Sequence, residues 1–416
     1  MAIGHASVTA RDVEQARATI AGRVRDTPLV PAGELSRRVG AEVLLKAENL
    51  QLTGSFKIRG ATNRLARLSE AERGAGVVAA SAGNHAQAVA LAARRLGVRA
   101  TLCMPEGAPL AKLAAVRQYG GEVRPVAGSY EECGQAARQV VEREGKTLVH
   151  AFDDPDVVAG QGSVGIEIAE AAPGMRLVVV PLGGGGLAAG IALSVKDRLE
   201  DVRVVGVQAE ACAPYPSSLA AHRPVGARSS RTIADGVAIK RPGELTLPLV
   251  ERLVDEVVTV SDDEIAQTMV LLLERSKMVV EGAGAVAVAA LMHGHVQPSA
   301  SGSVCAVLSG GNVDASLLAE CIRLGETAAG RRIVLATVVP DQPGALAALL
   351  RVVADHGANV LDVEHLRDGL DLHVRETAIQ LVLQTNGREH GEAIVEAARA
   401  EGFTVAVERE AGQGGA

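Results

Sequence analysis

The sequence predicts an α/β protein: a large domain of two lobes, each on an open, twisted, mostly parallel sheet, followed by a small ferredoxin-like domain. Three observations predict it. Short apolar runs rich in Val and Leu alternate with Ala-rich stretches between residues 42 and 308, at the spacing of βαβ units. Polar or glycine-rich turns at 81–85, 183–186 and 309–312 each follow such a run, at the strand ends where open α/β sheets bind ligands. Near residue 325 the pattern changes to β-α-β-β-α-β, the order of a ferredoxin-like domain.

In chain order, Thr9 can cap a helix over 9–20, in which Val13, Ala16 and Ile20 recur on one face. Val43, Leu44 and Leu45 mark a strand over 42–47. A helix follows over 59–68, a strand over 76–80, an Ala-rich helix over 86–96, a strand over 99–104, a helix over 108–119 and a strand over 122–126. The alternation resumes with a brief strand at 148–151, a helix over 164–171, a strand at 177–180, a helix over 188–199 and a strand over 203–208. Residues 213–228 carry four Pro or Gly among polar residues and read as a loop. Ser261-Asp262-Asp263-Glu264 is a capping box opening a helix through 276. A helix over 283–292 and a strand over 304–308 complete the large domain.

The second domain reads as a strand over 333–339, a helix over 344–354, strands over 359–365 and 372–383, a helix over 392–400 and a strand over 403–407. The expected domains are 1–325, with a smaller lobe at about 50–150, and 333–408, joined by a linker at 326–332. The Ala, Gly and Gln tail over 409–416 is expected to be disordered.

Composition narrows the function. Three Tyr, three Phe and no Trp leave no stacking platform for nucleic acid, and a net charge of -7 offers no basic patch. The five cysteines, 103, 133, 212, 305 and 321, have no metal or redox spacing and read as small buried hydrophobes in a reducing compartment. The N-terminus lacks a signal pattern, and the apolar stretch 177–193 is interrupted by Pro181 and four glycines. A cytoplasmic protein without a membrane segment is expected.

The chemistry centres on Thr53-Gly54-Ser55-Phe56-Lys57. A lysine in a tight turn after an aromatic residue can form a Schiff base once burial lowers its pKa. Alone it is an ordinary surface cation, and three later stretches give it meaning. Ser81-Ala82-Gly83-Asn84-His85 lies between a strand and a helix, where helix-start N–H groups can hold a carboxylate. Gly183, Gly184, Gly185 and Gly186 let several N–H groups converge on a phosphate. That run matches neither the dinucleotide fingerprint nor the Walker loop, which sets nucleotides aside. Ser309 follows a strand, and a hydroxyl there would be a weak partner for a pyridine nitrogen.

Taken in order, these residues resemble the fold-type-II pyridoxal phosphate enzymes, and within them the L-threonine ammonia-lyases, or threonine dehydratases. The resemblance spans about 27–325 and also takes in Gly160-Gln161-Gly162, Ala234-Asp235-Gly236, Glu281-Gly282-Ala283-Gly284 and Ser309-Gly310-Gly311-Asn312. Asp341-Gln342-Pro343-Gly344-Ala345-Leu346 resembles an ACT domain, a regulatory module that binds small effectors.

The resemblance implies pyridoxal 5'-phosphate as cofactor and Lys57 as its covalent anchor and catalytic base. It implies Phe56 beside the ring, Asn84 at the ring hydroxyl, the four glycines at the phosphate and Ser309 at the ring nitrogen. Ser81, Asn84 and His85 would grip the substrate carboxylate, and Gly236 would contact the substrate. The implied reaction is loss of water from L-threonine, giving 2-oxobutanoate and ammonia, with L-serine a poorer substrate giving pyruvate. Asp341, Pro343, Gly344 and Asn359 are the candidate effector contacts, and isoleucine is the first-choice effector, in keeping with isoleucine biosynthesis. A homo-oligomer, dimer or tetramer, is expected.

Two departures matter. Serine racemases of this group carry serine where Ala82 stands, and alanine cannot exchange a proton. The same relatives bind a divalent metal through Glu and Asp; here Glu210 is present but Pro216 holds the Asp position, and no metal is assigned. The alternatives are a β-replacement enzyme, threonine synthase, a serine racemase, and a non-catalytic effector sensor.

Overall fold

The computed structural model describes residues 8–227, 231–298, 302–367 and 372–408. The extreme N-terminus, residue 228 of the predicted loop and the tail at 409–416 lie outside these residues. The chain divides into two compact units, Met1–Asp314 and Ala315–Ala416.

The first unit contains two sheets. The larger has six strands in the order Leu29–Pro31, Val43–Ala47, Ser303–Leu308, Met175–Pro181, Arg203–Ala209, Glu256–Val260. All its pairings are parallel except the first. The smaller sheet, wholly parallel, runs Glu122–Val126, Ala100–Pro105, Val77–Ala80, Thr147–Leu148. Parallel strands covered on both faces need continuous apolar runs, and Leu177, Val178, Val179 and Val180 are all fully buried.

The helix Pro155–Ala171 begins well before residue 164, where the sequence pattern starts it. Asp154 caps it and Pro155 suits its first position. Its glycines are close-contact points rather than breakers: a Cβ on Gly160 would lie 2.6 Å from Gly60 Cα, and one on Gly190 2.7 Å from Gly162 N. The helices Lys57–Ala66 and Gly186–Arg198 therefore pack backbone to backbone against it.

Other expectations are corrected. Residues 213–228 are not all loop, since Tyr215–Ala220 is helical, with Pro216 in its first turn and Tyr215 fully buried. The strand at 148–151 stops at Leu148. The chain then turns, and His150 Nδ1 accepts from Phe152 N at 3.3 Å and Asp153 N at 2.8 Å. The helices Gly33–Val39, Glu70–Ala75, Tyr130–Glu144, Thr246–Leu253 and Ala315–Ala328 and the strands Leu29–Pro31 and Glu256–Val260 had no counterpart in the sequence reading.

In the second unit a sheet in the order Asn359–Leu366, Glu376–Gln384, Arg332–Pro340, Val405–Glu408 is antiparallel throughout. With the helices Ala345–Asp355 and Arg388–Ala400 it is the expected ferredoxin-like fold, around a core that includes Leu335, Leu349, Leu381 and Ile394. No helix among the described residues is long and apolar enough to cross a membrane.

Candidate active site

Lys57 is the first residue of the helix Lys57–Ala66. The turn before it requires Gly54, whose φ is +71° and whose Cβ would collide with the side chain of Asn312. This turn is laced to the one after Ser303–Leu308. Phe56 N donates to Ser309 O at 3.1 Å, and Gly311 N donates to Gly54 O at 2.8 Å. Lys57 and Ser309 thereby face one cleft, which Phe56, Phe152, Gln161, the four glycines, Gly236 and Val237 also line.

Lys57 Nζ donates to Ala151 O at 2.9 Å and stands 5.0 Å from the centroid of the Phe56 ring, within cation–π range. Burial lowers the amine to about 8, with the Glu281 carboxylate opposing the shift. Two residues on, Arg59 is fully buried in a network of its own. Arg59 Nε donates to Glu48 at 2.8 Å, and its Nη1 and Nη2 donate to Glu167 at 2.5 and 2.8 Å. Lys46 Nζ donates to the same Glu167 at 2.5 Å, so two acids and two bases lock the lysine helix to its neighbours.

The glycine turn is built for close approach. A Cβ on Gly184 would lie 2.2 Å from the Phe152 ring, one on Gly185 (φ +94°) would overlap the Tyr215 hydroxyl, and one on Gly183 would lie 3.1 Å from Gly236 O. Behind it, Asp153 Oδ1 accepts from Leu245 N and Thr246 N, at 3.0 and 3.2 Å, and Thr246 Oγ1 donates to Gly184 O at 2.7 Å. The N–H groups of Gly183, Gly184 and Gly185 make no hydrogen bond to other described residues, and the helix Gly186–Arg198 begins here without a side-chain cap. Free donors at a positive helix end, facing a lysine of lowered pKa across one cleft, fit the phosphate and aldehyde of pyridoxal phosphate. A second cavity, of about 360 Å³ and lined by Ala80, Arg138 and His150 among others, contains neither a lysine nor a glycine turn.

Ser81, Asn84 and His85 are not in the lining of the cleft. Ser81 is buried and its Oγ accepts from Gly83 N at 3.1 Å. His85 Nε2 donates to Val149 O at 2.9 Å, and burial, aided by the charge of Lys57, lowers the ring to about 3, so it is neutral. Asn84 is tied to the lysine turn and to Glu281 through its amide: Asn312 Nδ2, which also donates to Thr53 O, donates to its Oδ1 at 2.7 Å, and its own Nδ2 donates to Glu281 Oε1 at 2.6 Å. Sequence reasoning assigned nothing to Phe152, Asp153 or Thr246 and gave Asn312 no role beyond its motif; Glu281 it read as an acid that orients the ring or binds a cation, or as a plain helix-opening charge. For Glu281 a signal existed, a lone acid opening the all-apolar helix Gly282–Met292.

In the second unit Gly344 is the N-cap of the helix Ala345–Asp355, with φ +96° and open space where a Cβ would stand. Its positive φ by itself calls for glycine. Asp341 accepts from Arg367 Nη2 at 2.9 Å, and Asn359 Nδ2 donates weakly to Gln384 Oε1 at 3.4 Å. The register sets Asn359 and Arg332 both opposite Gln384, whereas Pro340 is opposite Glu376. Asn359 is therefore one strand length, about 30 Å, from the turn holding Asp341, Pro343 and Gly344. Within one chain it cannot share an amino-acid-sized ligand with them, as the sequence reading expected.

The family model described as pyridoxal-phosphate dependent enzyme matches residues 20–310, and that of the ACT domain matches 333–400. The chain is 44% identical to an L-threonine ammonia-lyase of Thermotoga maritima over 96% of its own length and 99% of that protein's. An L-threonine ammonia-lyase of Geobacter sulfurreducens is 41% identical, over 95% of this chain and 98% of the relative. Among solved structures, a T.th. threonine deaminase superposes with a TM-score of 0.68 at 41% identity, covering 74% of this chain and 99% of that one. A serine racemase of maize superposes with a TM-score of 0.73 at 34% identity, covering 76% and 97%.

Proposed function

The chain belongs to the pyridoxal-phosphate dependent enzymes, and from that premise we propose that it is an L-threonine ammonia-lyase. It converts L-threonine to 2-oxobutanoate and ammonia, and L-serine, more poorly, to pyruvate and ammonia. The observation that carries the reading is Lys57, whose amine is lowered to about 8 in a cleft shared with the glycine turn and with Ser309. Likeness over nearly the whole length to two L-threonine ammonia-lyases supports it.

Gly183, Gly184, Gly185 and Gly186 hold the phosphate through backbone N–H groups, Phe56 packs beside the ring, and Lys57 is the covalent anchor. Bound there, pyridoxal phosphate would supply an electrophilic aldehyde for an amine and a ring able to take up negative charge from Cα. Lys57, neutral in an appreciable fraction near pH 7, takes the Cα proton. Ser309 offers the ring nitrogen a hydroxyl rather than a charged partner, which limits charge delocalisation and favours expulsion of the β-hydroxyl as water. Ser81, Asn84 and His85 lie on the smaller-sheet side and orient the substrate carboxylate, and Gly236 meets the substrate. The water lost is returned when the released enamine hydrolyses, so threonine equals 2-oxobutanoate plus ammonia. The decisive assay is keto acid release from threonine by holoenzyme with no second nucleophile present. Absence of keto acid rejects the reading, and a requirement for an added thiol points to a β-replacement enzyme.

The ferredoxin-like unit, residues 333–408, binds an amino acid, isoleucine first, at the turn of Asp341, Pro343 and Gly344, and lowers turnover when it does. Asn359 takes part only as a contribution from a second copy in a homo-oligomer. Titration of full-length protein with isoleucine, and of a chain ending at Asp314, tests this: binding and inhibition belong to the full-length protein alone. Equal response in both sinks the regulator.

A further inference from the structure

We infer that Glu281 is a positioning residue: its carboxylate fixes the Asn84 amide at the start of the helix Asn84–Leu96, and through it the contact Asn84 makes with cofactor or substrate. This rests on reading the cleft as a pyridoxal phosphate site.

Glu281 is the N-cap of the helix Gly282–Met292, yet its side chain makes no capping bond to that helix. It is only 7% exposed, and its Oε1 accepts from Asn84 Nδ2 at 2.6 Å. Its backbone N donates to Gly310 O at 3.1 Å, and its carboxylate lies so close over Gly310 that a Cβ there would overlap Oε1. A buried carboxylate that leaves its own helix uncapped loses hydration and a cap together. The bond to Asn84 is what it gains instead.

The amide's direction is set from the other side. Asn312 Nδ2 donates to Thr53 O at 2.7 Å, and a backbone carbonyl can only accept, so nitrogen must stand at that end of Asn312. The same Nδ2 donates to Asn84 Oδ1 at 2.7 Å. Asn84 therefore turns its oxygen to Asn312 and its nitrogen to Glu281, which as a carboxylate only accepts. One N–H and one lone pair of the amide remain for a ligand, held in a fixed plane. The relay joins the lysine turn, the start of Asn84–Leu96 and the turn after Ser309, three segments far apart in the chain.

Three charges face Glu281. Asp235 disfavours its ionised form, and Lys112, on the helix Leu110–Gln118, and Lys57 favour it. Burial is the largest cause and raises the carboxyl to about 7. Ionisation therefore falls within the working pH range, and below about pH 7 the bond from Asn84 changes from charge-assisted to ordinary.

The test compares wild-type, Glu281→Gln and Glu281→Ala holoenzymes in two readouts: the pH profile of kcat/KM with threonine, and the dissociation constant for pyridoxal phosphate. Glutamine still accepts from Asn84 but does not titrate. It is expected to stay within about threefold of wild type at pH 8 in both readouts and to lose the acid limb near pH 7. Alanine is expected to lower kcat/KM by about 10–100-fold and weaken cofactor binding about tenfold. Should the alanine variant not fold, Asn312→Ala breaks the relay at its other end; it is expected to weaken cofactor binding while keeping the acid limb. Alanine matching wild type in both readouts overturns the inference, as does glutamine failing as badly as alanine with the acid limb intact. If wild type binds cofactor but releases no keto acid, the proposed reaction fails, and the three dissociation constants still decide the relay.

Discussion

The lowered pKa of Lys57 can be measured directly. An exposed lysine near 10.5 is neutral in only about 3 molecules in 10,000 at pH 7. With Lys57 lowered to about 8, the neutral fraction at pH 7 is about one tenth, roughly a 300-fold gain in nucleophile and base. The cause is burial, and the Glu281 carboxylate pulls the other way. Competitive acylation of cofactor-free protein with a trace of acetic anhydride, read peptide by peptide across pH, reports the titration of each amine. Lys57 is expected to titrate near pH 8, while Lys240, exposed and paired with Glu131 at 2.9 Å, titrates above 10.5 and serves as internal control. In Glu281→Gln the Lys57 midpoint moves lower still, because the opposing charge of Glu281 is gone. A Lys57 midpoint near 10.5 refutes the account, for it would mean that water reaches the amine freely.

Further outcomes follow from the same geometry. Lys57→Ala is expected to cut turnover by several orders of magnitude with an unchanged circular dichroism spectrum, because anchor and base are lost together. Gly184→Ala drives a methyl into the ring of Phe152 and is expected to weaken pyridoxal phosphate binding at least about tenfold, with a stability loss of about 1–3 kcal/mol by urea titration. Arg59→Met leaves Glu48 and Glu167 short of a buried counter-charge and is expected to cost about 3–5 kcal/mol in the same titration. With alanine at position 82 and no second acid–base group there, chiral chromatography of reactions on L-serine should find D-serine a minor product beside pyruvate.

The strands Val77–Ala80, Met175–Pro181 and Ser303–Leu308 were legible because parallel strands buried on both faces leave unbroken apolar runs. The lysine turn, the glycine turn and Ser309 were legible because their residue types are unusual for their positions. What stayed hidden depends on partners distant in sequence. Gly160 and Gly162 argue against a helix locally, and only the close approach of Gly60 and Gly190 explains them. Phe152 and Asp153 follow a two-residue strand with no local pattern, yet one packs on Gly184 and the other caps Thr246–Leu253 from below. Asn359 failed for the opposite reason: its neighbourhood in sequence suggested a shared site, and the strand register separates it from Asp341.

The buried quartet behind the lysine explains how so much charge coexists with a lowered amine. Arg59 and Lys46 alone would disfavour a positive Lys57, and Glu48 and Glu167 alone would favour it. Paired at 2.5–2.8 Å, two positive and two negative groups leave the quartet with no net charge. The quartet fixes the first turn of the lysine helix against the strand Val43–Ala47 and the helix Pro155–Ala171 while leaving little net field at the amine. A hydrophobic substitute for all four could be as stable or more so. Directional hydrogen bonds add a constraint that apolar packing lacks: Arg59 meets both acids along fixed directions, which sets the rotation of its helix and so the side on which Lys57 emerges. Anchoring and tuning are thus divided. Neutralised pairs orient Lys57, and burial together with Glu281 sets its proton.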